Sequence, residues 1–195
     1  MPIEVDNFYI EEKMLLIREL YAEDDYNSGI QEALSLMNEL FKEPVRSKYF
    51  ASLCKLLALG YRKNNKTKQA LQILDRAINY ATKQFTKTRE ESWEKEIAVL
   101  HVNKGIVYEH AKNYLGAINE YLQAERIFSK LNDTKHLFLL YQTLVGTYIS
   151  TDRFVEASEV LVSMDELAQQ AGLDPDGQIR TMINHTIKEK THESY

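Results

Sequence analysis

The chain has 195 residues, of which 44% are hydrophobic and 27% are charged, and its 24 basic and 29 acidic residues give a net charge of −5. This length can bury a substantial core, and the apolar fraction excludes a wholly disordered chain. A chain with an excess of acidic residues offers no large basic surface, so we expect no nucleic-acid binding through it. It has only 7 glycines and 3 prolines, and so few turn residues favour a helical fold over a sheet.

The N-terminal sequence MPIEVDNFYIEEK lacks the basic stretch and apolar core of a signal peptide. No apolar run approaches the roughly 18 residues that span a bilayer. The single cysteine, Cys54, excludes a disulfide framework within the chain and lies in an apolar helical pattern, where we predict a small buried residue. We therefore expect a cytoplasmic protein that does not associate with membranes.

The same helical pattern occurs four times along the chain. In each copy, a small residue is followed by a large apolar residue four positions later and by another apolar residue seven positions later, which is the spacing of one helix face. The small residues, 37, 47 and 40 positions apart, are Ala33, Ala70, Ala117 and Ala157.

A second apolar helical pattern precedes each of the last three copies. Tyr61, Tyr108 and Tyr148 stand nine residues before the corresponding alanine, and a short polar segment separates the two patterns. Paired helices joined by short turns pack against each other as antiparallel hairpins.

These hairpins resemble the tetratricopeptide repeat, whose signature spaces W, L-G, Y, A, F, A and P over 34 residues. The frame that begins near Ala98 matches best, and other frames begin near Met14, Ala51 and Phe138. Matching signature positions in the best frame are Gly105, Tyr108, Ala117, Tyr121 and Ala124. The departures from the signature are Asp24 for the first tyrosine, Cys54, His101 and Tyr141 for the tryptophan, and Thr82, Ser129 and Gln169 for the closing proline.

The resemblance implies an all-α fold, a right-handed superhelical stack of antiparallel helix hairpins with about nine helices. We expect one domain over residues 1–195. Its predicted hairpins cover residues 6–42, 44–86, 88–131 and 134–171, and a capping helix covers residues 176–191.

The resemblance also places the binding surface on the concave face, which the first helix of each hairpin lines. Asn103 and Gln142 suit hydrogen bonding to an extended peptide backbone. The alternative is that these side chains contact only the next helix or water. The candidate residues for peptide or protein binding are Lys55, Leu59, Arg62, Asn103, Ile106, His110, Gln142 and Gly146.

One specific ligand of this family is not predicted. Domains that bind chaperone tails hold a terminal carboxylate with Lys, Asn, Asn, Lys and Arg. Lys55 and Asn103 match this set, but Leu59, Leu139 and Thr143 replace the remaining members. Two of the three cations are therefore missing.

No phosphate-binding loop, dinucleotide fingerprint, nucleophile elbow or HExxH motif occurs, and the five histidines form no recognisable metal set. We predict no catalytic, cofactor-binding or metal-binding residues, and an enzyme is the least favoured hypothesis. Trp93 has two interpretations: packing in the junction between the second and third hairpins, or an exposed contact residue.

The sequence thus favours a non-catalytic scaffold that binds a protein or peptide. The alternative is a peptide-sensing regulatory module, because repeats near 40 residues are similar to the helical ligand domains of Gram-positive peptide-pheromone regulators. A homodimer is a further hypothesis, with packing on the next hairpin as its alternative. The apolar residues considered for that contact are Phe8, Ile10, Met14, Leu15 and Ile17.

Overall fold

The computed structural model describes residues 7–40 and 47–172, together with Thr181, His185 and Lys188. All regular structure in these residues is helical. The eight helices are α1 (Asn7–Ala22), α2 (Tyr26–Leu40), α3 (Ser47–Lys63), α4 (Thr67–Thr88), α5 (Glu91–His110), α6 (Tyr114–Lys130), α7 (Thr134–Ile149) and α8 (Phe154–Ala171).

The chain forms two compact units, residues 1–120 and residues 121–195. In the first unit, α1 packs on α2, α3 packs on α2, α4 and α5, and α1 also reaches α3. In the second unit, α7 packs on α8 around Val145, Leu161 and Met164. Each unit therefore has its own buried apolar residues.

The small residues that start the four helical patterns are all buried. Ala33, Ala70, Ala117 and Ala157 have no exposed surface, and Cys54 has none either. A side chain no larger than a methyl group lets the neighbouring helix approach closely, which explains why alanine occupies the four positions. The predicted burial of Cys54 is confirmed.

Trp93 packs within the first unit. Its ring lies edge-on to Tyr80, with 6.0 Å between ring centroids, and Tyr80 in turn lies 4.7 Å from Phe50. Trp93 is half-buried. This aromatic contact joins α5 to α4 and α3, and it supports the packing interpretation of Trp93.

A common backbone motif closes the short turns between helices. At the turn after α5, Lys112 has φ 58°, and the Asn113 N–H donates to the Tyr108 carbonyl over 2.8 Å. The turn after α3 repeats this arrangement with Asn65 at φ 56° and a Lys66 N–H to Tyr61 carbonyl bond of 2.8 Å. These are Schellman endings, in which a left-handed residue lets the chain satisfy the last helical carbonyls.

The left-handed conformation at Lys112 gives a testable prediction. A side chain with a Cβ costs about 1–2 kcal/mol in this region, and glycine adopts it freely. Lys112→Gly should raise the free energy of unfolding by about 1 kcal/mol, measured by urea denaturation. Lys112→Ala, which keeps the Cβ, is the matched control, and an equal gain in both variants would contradict this explanation.

The predicted all-α class and the hairpin pattern are confirmed, and the eight described helices correspond to the first eight predicted ones. Most of the predicted capping helix, residues 176–191, lies outside the described residues, although Thr181, His185 and Lys188 are helical. The single-domain organisation stays a prediction. None of the helices in the described parts of the chain has both the length and the apolarity needed to cross a membrane.

The N-terminal apolar residues divide between the core and the surface. Ile10, Met14 and Ile17 are at most 5% exposed and pack into the first unit, whereas Phe8 and Leu15 are 73% and 52% exposed. Packing on the next hairpin therefore accounts for three of the five residues. Self-association stays a prediction, and of these five residues Phe8 and Leu15 keep exposed apolar surface for it.

Candidate functional site

A cavity of about 290 Å³ opens in the first unit where α1, α3 and α5 meet. We call it the α1–α3–α5 cavity. Its size lies near the lower end of known ligand pockets, which suits one or two amino-acid side chains better than a large cofactor. Its lining residues are Arg18, Ser52, Lys55, Leu56, Ala58, Leu59, Arg62, Asn103, Ile106 and Val107.

One part of the lining is apolar. Leu56, Leu59 and Ile106 are half-buried, so each keeps some surface that an entering apolar group could cover. Burying apolar surface stabilises a complex by about 25 cal/mol for each Å² removed from water. The cavity can therefore hold an aliphatic side chain.

The charged part of the lining is cationic. Arg18, Lys55 and Arg62 line the cavity, and no carboxylate does so among the described residues. The positive charge of Lys55 is already balanced, because its Nζ lies 2.7 Å from Glu96 Oε1. Neither Arg18 nor Arg62 forms an ion pair within residues 7–40 and 47–172. Two guanidinium groups thus remain to bind an anion.

Asn103 is positioned by its own helix. Its Nδ2 donates one of its two N–H groups to the Val99 carbonyl over 2.8 Å. The Oδ1 atom makes no hydrogen bond to any described residue. Oδ1 and the second N–H of Nδ2 are therefore both available, and the bidentate contact with a peptide backbone stays a prediction.

Five of the eight predicted binding residues lie at this cavity: Lys55, Leu59, Arg62, Asn103 and Ile106. His110 is the exposed last residue of α5 and does not line the cavity. Gln142 and Gly146 belong to the second unit, where they are exposed on α7. The binding role of all eight stays a prediction.

Sequence reasoning missed Arg18. It stands four residues after Met14, the start of the first repeat frame, as Lys55 stands four residues after Ala51 in the second. Extending the concave-face positions to the first frame would have found Arg18. In that frame Asp24 replaces the signature tyrosine, so the first helix matches the repeat poorly.

A partly buried ionic cluster holds α5 against its neighbours. Lys104 Nζ lies 2.9 Å from Asp75 Oδ1 on α4 and 2.8 Å from Glu120 Oε1 on α6, and His101 Nδ1 lies 2.7 Å from Glu120 Oε2. Burial alone would raise the pKa of Glu120, but hydrogen bonds from His101 and Lys104 outweigh it and hold that pKa below its ordinary value. The cluster fixes the helix that carries Asn103 and Ile106.

No group of three His, Cys, Asp or Glu side chains within the described residues has the arrangement of a metal site. The contacts of the α1–α3–α5 cavity instead suit non-covalent binding, with two arginines for an anion, one amide oxygen for an N–H donor and an apolar wall.

No family model matches the chain, and no curated protein matches it. Solved structures do resemble it. Aspartyl phosphate phosphatase F from Bacillus subtilis matches with a TM-score of 0.74 at 14% sequence identity, over 91% of this chain and 44% of the phosphatase. This chain therefore spans less than half of that protein.

Two further structures resemble nearly the whole chain. A Podosopora anserina protein with nearly identical TPR-like repeats has a TM-score of 0.65 at 14% identity, over 98% of both chains. BtubC from P. vanneervenii has a TM-score of 0.62 at 14% identity, over 96% of this chain and 82% of that one. The protein thus has a TPR-like helical-repeat fold.

Proposed function

We propose that the protein is a non-catalytic scaffold that binds a segment of a partner protein in the α1–α3–α5 cavity. The observation that carries this proposal is the lining itself, which combines in one opening an apolar wall, an amide acceptor and two arginines that form no ion pair with any described residue. Ligand sites typically have this composition, with a mostly apolar lining and a few polar groups that fix orientation.

The extended peptide is the occupant that best fits these groups. Its side chains can enter the cavity beside Leu59 and Ile106, while a backbone N–H donates to Asn103 Oδ1. A cavity of about 290 Å³ accepts such side chains without enclosing the whole ligand. The rest of the segment can then continue over the half-buried residues of α3 and α5 that flank the cavity.

A peptide-sensing regulatory module remains the alternative proposal. It is favoured by the structural likeness to aspartyl phosphate phosphatase F, although this chain spans only 44% of that protein. A sensor should change shape when a short peptide binds, whereas a scaffold should change little. Small-angle scattering with and without a bound peptide distinguishes the two.

Peptide selection followed by mutation tests the scaffold proposal. The wild-type protein is used to select ligands from a display library of random linear peptides, and each selected peptide is titrated by fluorescence anisotropy. Asn103→Ala should weaken binding about tenfold, the value of one well-placed hydrogen bond to a buried partner. Ile106→Ala should also weaken it, because the apolar wall shrinks.

Gln69→Ala on the exposed surface of α4 is the matched control for an amide substitution, and it should leave affinity unchanged. Circular dichroism should show the same helix content in all variants at the temperature of the titrations. Undiminished binding by Asn103→Ala combined with Ile106→Ala would contradict the proposal, as would a library that yields no ligand.

A further inference from the structure

The α1–α3–α5 cavity has a charge that is unusual for this chain. The protein carries a net charge of −5, yet the cavity presents Arg18 and Arg62 and no described carboxylate. Lys55 contributes little net charge because Glu96 lies 2.7 Å from its Nζ. The unbalanced charge therefore comes from two arginines on different helices, α1 and α3.

Guanidinium groups bind carboxylates through paired hydrogen bonds of defined geometry. Arg62 is half-buried and Arg18 is exposed, so an incoming carboxylate can reach both groups while water still covers part of them. Forming such a pair does not require burying an isolated charge, which would otherwise oppose binding. Electrostatic complementarity of this kind sets specificity more than total affinity.

The apolar wall lies in the same opening, formed by Leu56 and Leu59 on α3 and Ile106 on α5. A ligand that fits both parts carries a carboxylate close to an aliphatic group. Adjacent acidic and aliphatic residues of a peptide meet this requirement, and the peptide groups on either side remain available to Asn103 Oδ1.

We propose that the α1–α3–α5 cavity selects an internal peptide segment in which a Glu or Asp side chain neighbours an aliphatic residue. Arg18 and Arg62 bind the carboxylate, and Leu59 and Ile106 receive the aliphatic side chain. This inference rests on the proposed scaffold function and adds the chemistry of the partner segment.

Two synthetic peptide libraries test the inference. Both consist of short fluorescent peptides with acetylated N-termini and amidated C-termini, so that no terminal charge can substitute for the side chain. One library fixes a Glu next to a Leu, the other fixes a Gln next to a Leu, and the remaining positions are the same mixture of uncharged residues. Anisotropy titrations at low and high salt measure affinity.

The Glu library should bind the wild-type protein about tenfold more tightly than the Gln library, and added salt should reduce this difference. Arg18→Gln and Arg62→Gln should each reduce the preference, and the double variant should abolish it while its affinity for the Gln library stays unchanged. Lys68→Gln, on the exposed surface of α4, removes one positive charge elsewhere and should keep the preference.

The outcomes separate this inference from the proposed function. Equal binding of the two libraries would overturn the acidic preference while leaving peptide binding intact. No binding of either library would overturn both. A preference for Glu that persists in the double Arg variant would also overturn the inference, because the carboxylate would then bind elsewhere. Unchanged circular dichroism spectra exclude misfolding of the variants.

Discussion

Gly60→Ala should reduce the free energy of unfolding by about 1–2 kcal/mol, although the substitution adds a single methyl group. A Cβ at Gly60 would overlap the hydroxyl of Tyr21 and lie 2.8 Å from Ile30 Cγ1. Overpacking of a dense core costs about 1–3 kcal/mol of stability. Alanine offsets about 0.5–1 kcal/mol of that cost, because it favours a helix more than glycine does.

The ring of Tyr21 has little room to move aside. Its other edge faces Gly29 on α2, where a Cβ would lie 2.7 Å from Tyr21 Cδ1. Tyr21 is 7% exposed, and its hydroxyl makes no hydrogen bond to any described residue. The Tyr21 ring of α1 is thus held between Gly29 of α2 and Gly60 of α3.

Gly146→Ala is the matched control for Gly60→Ala. Gly146 lies within α7, and nothing among the described residues stands within 4 Å of a Cβ at this position. This variant should gain about 0.5–1 kcal/mol from helix propensity. Urea denaturation measures both variants, and a similar stability change in the two would contradict the steric explanation.

Tyr21→Phe provides a more specific check. Removing the hydroxyl removes one of the atoms that a Cβ at Gly60 would overlap, so Gly60→Ala should cost less in the Tyr21→Phe background than in the wild type. The single variant Tyr21→Phe should itself be neutral or stabilising, because it removes a buried hydroxyl that has no hydrogen-bond partner among the described residues. Additive effects would contradict the proposed contact.

Glu120→Ala should lower the free energy of unfolding by about 2 kcal/mol at neutral pH. Its side chain is 14% exposed and accepts from both Lys104 and His101. Removing one partner of a fully buried ion pair costs about 3–5 kcal/mol, and partial exposure together with the remaining Asp75 partner of Lys104 reduces that cost. Glu32→Ala, which breaks the more exposed pair with Lys13, is the control and should cost at most about 1 kcal/mol.

The pH dependence has a defined sign. The pKa of Glu120 lies below its ordinary value of 4.5, so folding gains from the charged carboxylate above that pH. This gain is lost as the pH falls from about 4.5 through the lower pKa of the folded state. The stability difference between the wild type and Glu120→Gln should therefore shrink over that interval in urea denaturation, and a constant difference would contradict the assignment.

Much of the fold follows from residue spacing. The alanines at positions 33, 70, 117 and 157 are fully buried, as their periodicity predicted. A close helix crossing requires a small residue, and this requirement is local and recurs in every hairpin. The tyrosines at positions 61, 108 and 148 lie at helix ends closed by short turns, which their distance from the alanines also indicated.

The candidate site was less accessible to sequence reasoning, because it depends on which helices converge. Arg18 lies on α1 in the repeat frame where Asp24 replaces the signature tyrosine, so only the register of the second frame, extended to the first, places it on the face that carries Lys55. The sequence also did not predict the hydrogen bond from Asn103 Nδ2 to the Val99 carbonyl, since a side-chain amide can bond to its own helix or to a ligand. The ionic cluster around Lys104 joins residues on three helices, and no short motif encodes it.

The position of Tyr21 has a consequence for the evolution of this fold. In the first repeat frame the bulky ring stands one helical turn earlier than the signature tyrosine, and glycines at positions 29 and 60 make room for it. A smaller residue at position 21 would release both glycines to become alanine. Among related sequences, these three positions should therefore covary, with glycine at 29 and 60 retained wherever an aromatic residue occupies position 21.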